Sequence, residues 1–185
     1  ITRQLNATLD VEALMESLVK ETLRLLDAEG GIAGLMTPEG MTSKKYCTQN
    51  GVVPFSYCWP PGVGLPGWVA VHKSPYLTND AAADPQMVPD LRERLGIRSA
   101  MCMPLLNSRG EVLGFIATHN KNDGSDFDHV DEEKLQAVSR AASVAVQNAL
   151  AYHKLEETAE ALRLAEEKYR GIFENAVEGI GRVSP

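Results

Sequence analysis

The sequence predicts an α+β fold, in which a central antiparallel sheet carries helices on both faces and a long helix forms the C-terminal end. Two observations predict this fold class. Apolar runs at 99–106 and 111–119 flank the turn Asn-Ser-Arg-Gly at 107–110, which has the length and composition of a β-hairpin turn. From Asp131 a helical pattern continues for about forty residues, and no Pro or Gly interrupts it before Gly171.

Local signals predict the elements that precede this hairpin. Apolar residues at helical spacing predict a first helix, with Asp10 as its N-cap and Gly30-Gly31 as its end. An earlier hairpin follows, with strands at 32–36 and 42–48 around a Thr-Pro-Glu-Gly turn. The two hairpins together supply strands for an antiparallel sheet.

The middle of the chain is irregular in sequence. Residues 50–85 are interrupted by Pro and Gly and predict only one short helix, at about 66–72. A second short helix is predicted over 89–95, with Gly96 as its end. Pro104 predicts an edge position or a β-bulge in the second hairpin, because proline has no N–H to donate to a neighbouring strand.

Composition and charge exclude several classes of function. The chain has 185 residues, of which 44% are apolar and 23% are charged, as in globular proteins rather than disordered ones. The net charge of −7 disfavours nucleic acid as a partner, and no apolar run approaches the ~20 residues that span a bilayer. Three irregularly spaced cysteines, Cys47, Cys58 and Cys102, fit a reducing compartment. We therefore expect a cytoplasmic fragment of a longer protein, with no membrane segment and no nucleic-acid partner.

The long helix carries two stripes of mostly apolar residues. The first is expected to pack on the globular domain and comprises Leu135, Val138, Ala142, Ala145, Ala149 and Tyr152. The second recurs in 3-4 alternation and predicts the seam of a coiled coil, at Val144, Asn148, Ala151, Leu155 and Leu162. Asn148 in this seam favours a parallel homodimer, because its amide then pairs with its symmetry mate. The alternative is a single long helix that packs its alanine-rich stripe within the monomer.

Three segments in the middle of the chain carry a family resemblance. They read Pro-Gly-Val-Gly-Leu-Pro-Gly-Trp-Val-Ala at 61–70, Ser-Pro-Tyr-Leu-Thr-Asn-Asp at 74–80 and Gly-Ile-Arg-Ser-Ala-Met-Cys-Met-Pro-Leu at 96–105. With Gly-Glu-Val-Leu-Gly at 110–114, this set resembles a GAF domain over about residues 6–152. The resemblance implies a sheet of five or six strands with the first and last helices on one face. It also implies short helices over a small, mostly apolar ligand pocket on the other face.

The pocket is expected to be lined by aromatic and apolar side chains and one carboxylate. These candidates are Trp59, Trp68, Leu77, Asp80, Met87, Leu91, Met101 and Met103. For each of them the sequence leaves open plain core packing without any ligand contact.

The end of the chain resembles a second family. Residues 167–180, Glu-Lys-Tyr-Arg-Gly-Ile-Phe-Glu-Asn-Ala-Val-Glu-Gly-Ile, are similar to the opening helix of a PAS domain. The predicted organisation is a GAF-like sensory domain at 6–152, a coiled-coil linker helix at 153–168 and the truncated start of a PAS domain at 169–185. This order is typical of multidomain signalling proteins, in which further PAS and output domains are partners in the same chain.

A spaced signature follows the second hairpin: Asn120-Lys121, then Phe127, then Asp131-Glu132. It resembles the signature of cyclic-nucleotide-binding GAF domains. The physical content that this resemblance implies is a structural clamp of Asn120, Lys121, Phe127 and Asp131. In it Lys121 pairs with Asp131 and fastens the last strand to the beginning of the long helix, where the charge of Asp131 is favourable. Both a purely structural clamp and cyclic-nucleotide binding remain open.

Other cofactors and catalytic groups lack their motifs. Gly-Val-Gly-Leu-Pro-Gly at 62–67 has the spacing of a dinucleotide loop, but no central strand precedes it as that fingerprint requires. A covalent bilin would need a Cys-His pair like that of photoreceptor GAF domains, and because the chain has no Cys-His dipeptide we expect no covalent bilin. Haem is disfavoured because the four histidines, His72, His119, His129 and His153, stand alone, and unpaired cysteines disfavour a metal site. We find no nucleophile–base set and predict no enzyme activity in this fragment.

The sequence thus predicts a regulatory domain that senses an unknown small molecule. It would relay a conformational signal through a dimeric helix to downstream PAS and output domains, as in a sensor histidine kinase. Two alternatives remain, a ligand-free dimerisation or spacer module and a cyclic-nucleotide-binding GAF domain. A cavity beneath the short helices would favour a sensor over a spacer.

Overall fold

The structure, a computed structural model, describes residues 2–181 and the side chains of residues 11–173. Its elements in chain order are α1 Thr2–Leu26, β1 Ala28–Thr37, β2 Gly40–Thr48, β3 Gly51–Trp59, α2 Gly64–His72, β4 Tyr76–Thr78, α3 Pro89–Leu95, β5 Ala100–Leu106, β6 Val112–Lys121 and α4 His129–Gly181. The strands form one six-stranded antiparallel sheet in the order β3-β2-β1-β6-β5-β4. The predicted α+β fold class is confirmed.

Helices cover both faces of this sheet. Successive side chains of β5 point to opposite faces, so Met101 and Met103 pack towards α1 and α4, whereas Cys102 packs towards α2 and α3. Each face buries its own apolar cluster. We call α2, α3 and residues 79–88 between β4 and α3 the roof, and the face with α1 and α4 the helix face.

The boundaries predicted for the first helix are wrong at both ends. α1 begins at Thr2, so Asp10 lies inside it rather than at its N-cap, and it ends at Leu26. Asp27 then adopts a left-handed φ of 49°, a conformation that Asp tolerates better than most residues. Gly30 and Gly31 belong to β1, where they permit close approach: a Cβ on Gly31 would lie 2.8 Å from the Ala117 carbonyl oxygen.

The sequence analysis missed the edge strand β3. It pairs with β2 alone, and Pro54 lies opposite Lys45 next to an irregularity in the register. An edge strand accommodates proline because one side of its backbone needs no partner. The prolines and glycines that indicated an irregular segment are therefore compatible with a strand at this position.

The second hairpin and the two short helices are confirmed. β4 pairs only with residues 100–102 of β5, so Pro104 lies where this strand has no neighbour on that side. A register shift follows between Leu105 and Leu106. Gly96 ends α3 with a left-handed φ of 63°.

The long helix has two different environments. Its first stripe is buried against the sheet at Leu135 and Ala142, but Tyr152, the last residue of the predicted stripe, is exposed. Beyond that point apolar side chains of the predicted seam lie open to solvent, with Leu155 67% and Leu162 70% exposed. α4 continues past Gly171 to Gly181, while residues 182–185 of the predicted PAS start lie outside the described part. Within residues 2–181, no helix combines the length and apolar character that crossing a bilayer requires.

Candidate ligand cavity and helix clamp

A small cavity of about 60 Å³ lies between the roof and the sheet. Its wall is mostly apolar and combines residues from five strands, both roof helices and the segments next to them. The lining side chains and backbone belong to Ile32, Tyr46, Trp59, Gly64, Leu65, Pro66, Met87, Val88, Leu91, Leu95, Ile97, Ala100, Ala117, Thr118 and His119. The roof therefore leaves the kind of space that distinguishes a sensor from a plain spacer.

The structure brings three of the predicted pocket residues to this cavity, Trp59, Met87 and Leu91. Trp68 lies beside it in the roof cluster, stacked on His72 with ring centroids 4.0 Å apart. Asp80 lines a separate surface cleft.

The other three predicted pocket residues, Leu77, Met101 and Met103, need correction. They belong to the cluster on the helix face, on the far side of the sheet from the cavity. The reason is the two-residue period of a strand: Ala100 of β5 lines the cavity, so Met101 must point away from it. The register that decides this is set by pairing with β6.

Twelve of the fifteen residues of the cavity wall were not predicted, and two of these, Tyr46 and His119, form a polar pair. The Tyr46 hydroxyl and His119 Nε2 lie 2.8 Å apart, within hydrogen-bond distance, and the two rings are nearly parallel. Gly30 lies beneath both groups, where any Cβ would clash with the Tyr46 hydroxyl. The pair joins positions 73 residues apart, so no local pattern indicates it.

His119 has a buried ring nitrogen without a hydrogen-bond partner among the described residues. The residue is only 6% exposed, and the nitrogen without a partner is Nδ1. Burial lowers the pKa of His119 to about 4, although Glu29 acts in the opposite direction. Burial likewise raises the pKa of Tyr46 to about 12. At neutral pH both groups are uncharged, and the imidazole has one N–H donor and one bare nitrogen acceptor.

Asn120, the next residue of β6, holds the end of the strand in place. It is buried and adopts a left-handed φ of 51°. Its side-chain oxygen accepts hydrogen bonds from the N–H groups of Arg98 and Ser99, at 2.8 and 3.2 Å. Its amide nitrogen donates to Glu29 at 2.8 Å and to the Gly96 carbonyl at 2.9 Å. Asn120 thus fixes β6 to β1 and to the end of α3.

The predicted ion pair of the clamp is present. Lys121 Nζ lies 2.8 Å from Asp131 Oδ2, and the two side chains are only 17% and 4% exposed. Burial by itself would raise the pKa of Asp131, but the hydrogen bond from Lys121 and the N–H of Asp128 lower it below its usual value. Phe127 is buried, and its N–H and carbonyl are both bonded to the Asn79 side chain. The clamp therefore connects the end of β6 to the first turn of α4.

Two serines fasten α4 to β5 further along. Ser139 Oγ donates to the Pro104 carbonyl at 2.7 Å, and the Leu106 N–H donates to Ser143 Oγ at 3.0 Å. Both serines are buried. The first half of α4 is thus tied by directional bonds to the strand that also lines the cavity.

A wider groove of about 920 Å³ opens on the helix face. It runs between α1, β2 and α4, and its rim carries the ion pairs of Glu16 with Lys20 and Lys45, at 2.6 and 2.7 Å. These bonds lower the pKa of Glu16 to about 2. Among the described residues, the one buried side-chain polar atom without a hydrogen-bond partner belongs to His119, which lines the smaller cavity and not this groove. We therefore place the candidate ligand site under the roof.

Comparison with known proteins assigns this architecture to a family. A GAF domain family model matches residues 8–147, so the chain belongs to the GAF domain family, whose members are regulatory small-molecule-sensing domains of signalling proteins. The resemblance predicted from the sequence is confirmed on this point. The match ends before the predicted linker and PAS segments, which stay predictions.

Two similar curated proteins are phosphodiesterases. The chain is 30% identical over 95 residues to dual 3',5'-cyclic-AMP and -GMP phosphodiesterase 11 of Drosophila melanogaster, and 28% identical over 122 residues to the 11A protein of Takifugu rubripes. The aligned parts cover 50% and 64% of this chain but only 6% and 14% of those proteins.

Solved structures share the fold at low identity. The GAF-B domain of DevS from Mycobacterium smegmatis superimposes with a TM-score of 0.63 at 16% identity, over 78% of this chain and 98% of that one. A GAF domain/HD domain protein from Geobacter sulfurreducens gives 0.62 at 13% identity, over 77% and 95%. At such identities the likeness shows the fold alone.

Proposed function

We propose that this GAF domain senses a small molecule in the cavity under the roof and relays binding through α4 to downstream PAS and output domains, as in a sensor histidine kinase. One observation carries the proposal. Three consecutive residues of β6 connect the two sites: His119 lines the cavity, Asn120 fixes the strand end, and Lys121 holds Asp131 at the beginning of α4.

The relay follows from this geometry. A ligand that contacts His119 displaces the end of β6, and the ion pair transmits that displacement to the first turn of α4. Ser139 and Ser143 tie the next turns to β5, so the helix responds as a unit. Moving such a two-state equilibrium from 1:99 to 99:1 requires a ligand that prefers one state by about 5.5 kcal/mol.

The exposed seam on α4 supports a parallel homodimer as the form that passes the signal on. Leu155 and Leu162 have coiled-coil spacing and lie open to solvent. Asn148 also lies on the exposed side of the helix, as a seam position requires. Two such helices side by side would bury this stripe and change register together.

A ligand screen with a filled-cavity control tests the sensor proposal. Native mass spectrometry of the purified chain first detects any co-purified molecule. Thermal unfolding is then measured with cyclic nucleotides, amino acids, nitrate, organic acids and small neutral compounds. We expect at least one compound to raise the Tm by more than about 2 °C, because a ligand that binds only the native state stabilises it.

Ala117→Leu is the matched control, since Ala117 lines the cavity and a larger side chain would fill it. In this variant the rise in Tm should disappear. If no compound binds the parent chain, or if every binder acts equally on Ala117→Leu, the cavity is not a sensing site and a spacer module is the better description.

Cyclic-nucleotide binding is the second candidate. It is favoured by the Asn120-Lys121, Phe127, Asp131-Glu132 signature and by the phosphodiesterase relatives. Ligand pockets usually measure about 300–1,000 Å³, so a cavity of about 60 Å³ requires the roof to open before a nucleotide enters. Tight binding of cAMP or cGMP in the same screen, lost in Ala117→Leu, would establish this candidate.

A further inference from the structure

The helix α3 lies over the cavity but has few attachments to the rest of the domain. Leu91 is its one buried residue, and Leu91 and Leu95 line the cavity. Among the described residues, the side chains of α3 make a single hydrogen bond, from Arg92 to Glu93 of the same helix at 3.2 Å. Lifting α3 from the sheet therefore breaks apolar contacts but no side-chain hydrogen bond to another described element.

The other roof helix, α2, is held more firmly. Five of its nine residues are buried, and the Gly62 N–H donates to the Gly67 carbonyl at 2.8 Å. A Cβ on Gly67 would clash with the Pro60 carbonyl oxygen, so this helix packs directly on the chain that leads into it. Of the two helices, α3 is the one that can move without disturbing the core.

Hydrogen bonds fix the chain on either side of α3. Before it, the Tyr76 hydroxyl donates to the Asp84 carboxylate, at 2.9 Å from Oδ1. After it, the Asn120 amide donates to the Gly96 carbonyl at 2.9 Å. Residues 85–95 lie between these two points, and four of them line the cavity: Met87, Val88, Leu91 and Leu95. This segment is therefore tethered at both ends and has an apolar inner side.

One contact of α3 reaches the edge strand. The Arg94 guanidinium carbon lies 5.0 Å from the centre of the Phe55 ring on β3, which is the geometry of a cation–π interaction. The centre of the Phe55 ring lies 6.2 Å from those of Tyr46 and Trp59, and both of these residues line the cavity. The contact thus joins α3 to the sheet beside the cavity.

We propose that residues 85–95 form a lid over the cavity and that Arg94, placed over Phe55, is its latch. The lid swings between its tethers at Asp84 and Gly96 and opens the cavity on the side of β3. Its use as the entrance for a ligand rests on the proposed function, whereas the opening itself does not. The inference goes beyond that function because it identifies which part of the roof moves and which side chain holds it closed.

The latch is weak, so its removal has a limited effect. Arg94 is exposed, and a cation–π contact at an exposed site changes an equilibrium about 3-fold. Arg94→Ala should therefore raise the population of the open lid by that factor and leave the closed fold intact.

Thiol labelling measures lid opening without any ligand. Ala100 is 5% exposed and lines the cavity, so Ala100→Cys places a thiol beneath the lid. Cys58→Ser removes the exposed native cysteine from the same chain. The small neutral reagent methyl methanethiosulfonate is added, and mass spectrometry of peptides follows the labelling rate at position 100. Arg94→Ala should increase this rate about 3-fold, because the reagent reaches the thiol only when the lid is open.

Arg92→Ala is the matched control, because it removes the same type of side chain from α3 while Arg94 stays over Phe55. It should leave the labelling rate unchanged. Cys47 is 1% exposed and lies on the helix face, so its labelling reports unfolding elsewhere. A rate at position 100 that ignores Arg94→Ala, or that rises equally with the rate of Cys47, would overturn the latch. Labelling as fast as that of a free thiol before Arg94 is changed would show that the cavity has no lid.

Phe55→Leu tests the latch from the other side. It should raise the labelling rate while Arg94 is present and add little in the Arg94→Ala background, where the contact is already lost. Equal effects in the two backgrounds would contradict a contact between the two side chains. If labelling responds as expected but no compound binds in the thermal screen, the lid stands and the sensing function fails. If a compound binds and labelling ignores Arg94→Ala, the sensing function stands and the latch fails.

Discussion

At the scale of single residues, the end of β6 joins the cavity to the long helix through His119, Asn120 and Lys121. A histidine is usually placed where it can be protonated, but this one is buried against Tyr46 and stays neutral at physiological pH. Its neighbours Asn120 and Lys121 are bonded to Glu29 of β1, to the segment that follows α3 and to Asp131 of α4. The unpartnered Nδ1 is therefore a local exception in a well-bonded segment.

The buried histidine predicts a pH dependence of stability. The pKa of His119 falls from 6.5 in the unfolded chain to about 4 in the folded one, because burial disfavours the charged ring. Below pH 6.5 the unfolded state therefore binds more protons, and the free energy of unfolding decreases as the pH falls towards 4. The full loss is about 3 kcal/mol. Urea unfolding at pH values from 7.5 to 4.5 measures it.

His119→Phe is the control for this prediction, since it removes the titrating group. Its stability should stay nearly constant between pH 6.5 and about 5.5, where Glu16 stays ionised in both the folded and the unfolded chain because its ordinary pKa is 4.5. A parent chain as insensitive to pH as the variant in this window would contradict the buried neutral ring.

The clamp predicts a second residue-scale effect. Lys121→Ala should lower the free energy of unfolding by about 2 kcal/mol, because it leaves the buried Asp131 carboxylate without its main charged partner. If the clamp is purely structural, ligand affinity stays intact, as measured by the shift in Tm with any compound that binds. A large loss of affinity without a loss of stability would instead give Lys121 a direct role in binding. Asp131→Asn, which keeps the shape and removes the charge, should destabilise similarly.

At the scale of elements, α4 is one helix whose two halves lie in different environments. Its first half is part of the domain core and is bonded to β5, while its second half projects an exposed apolar stripe. A helix of this length needs packing or a partner, because isolated helices gain little from propensity alone. The buried half anchors the helix and the exposed half is available for association.

The serine contact tests whether α4 is anchored as described. Ser139→Ala removes the 2.7 Å bond to the Pro104 carbonyl and should lower the free energy of unfolding by about 1 kcal/mol. Thr158→Ala is the matched control on the same helix, because its hydroxyl makes a bond of equal length to the exposed Lys154 carbonyl. That variant should change stability by less than about 0.5 kcal/mol. Equal losses of stability in the two variants would show that the bond to β5 stabilises the fold no more than a bond within the exposed part of α4 does.

At the scale of the whole molecule, the exposed stripe predicts self-association. Leu155→Glu with Leu162→Glu introduces four like charges into the seam of a parallel dimer and should produce a monomer. Leu164→Glu is the control, because Leu164 is also 54% exposed on α4 but lies off the seam. Light scattering after gel filtration should show a dimer for the parent and for Leu164→Glu. A parent chain that is monomeric at high concentration would remove the dimeric form of the relay.

Local sequence patterns were sufficient to predict many elements of this fold. The two hairpins follow from turn residues between apolar runs, and the long helix follows from its periodicity. The Lys121–Asp131 pair follows from a spacing that brings a strand end next to a helix start. These features depend on residues close together in the chain, which is why the sequence by itself determined them, along with the family.

The tertiary structure alone decided the cavity. Tyr46 and His119, which form its polar pair, come from separate hairpins and meet only because β1 lies between β2 and β6. The register of β5 decided that Met101 and Met103 face the helices, and an edge position allowed β3 to include a proline. The unpartnered Nδ1 is a property of packing around one atom. Long-range register and packing leave no periodic trace in a sequence, so they had to be read from the fold.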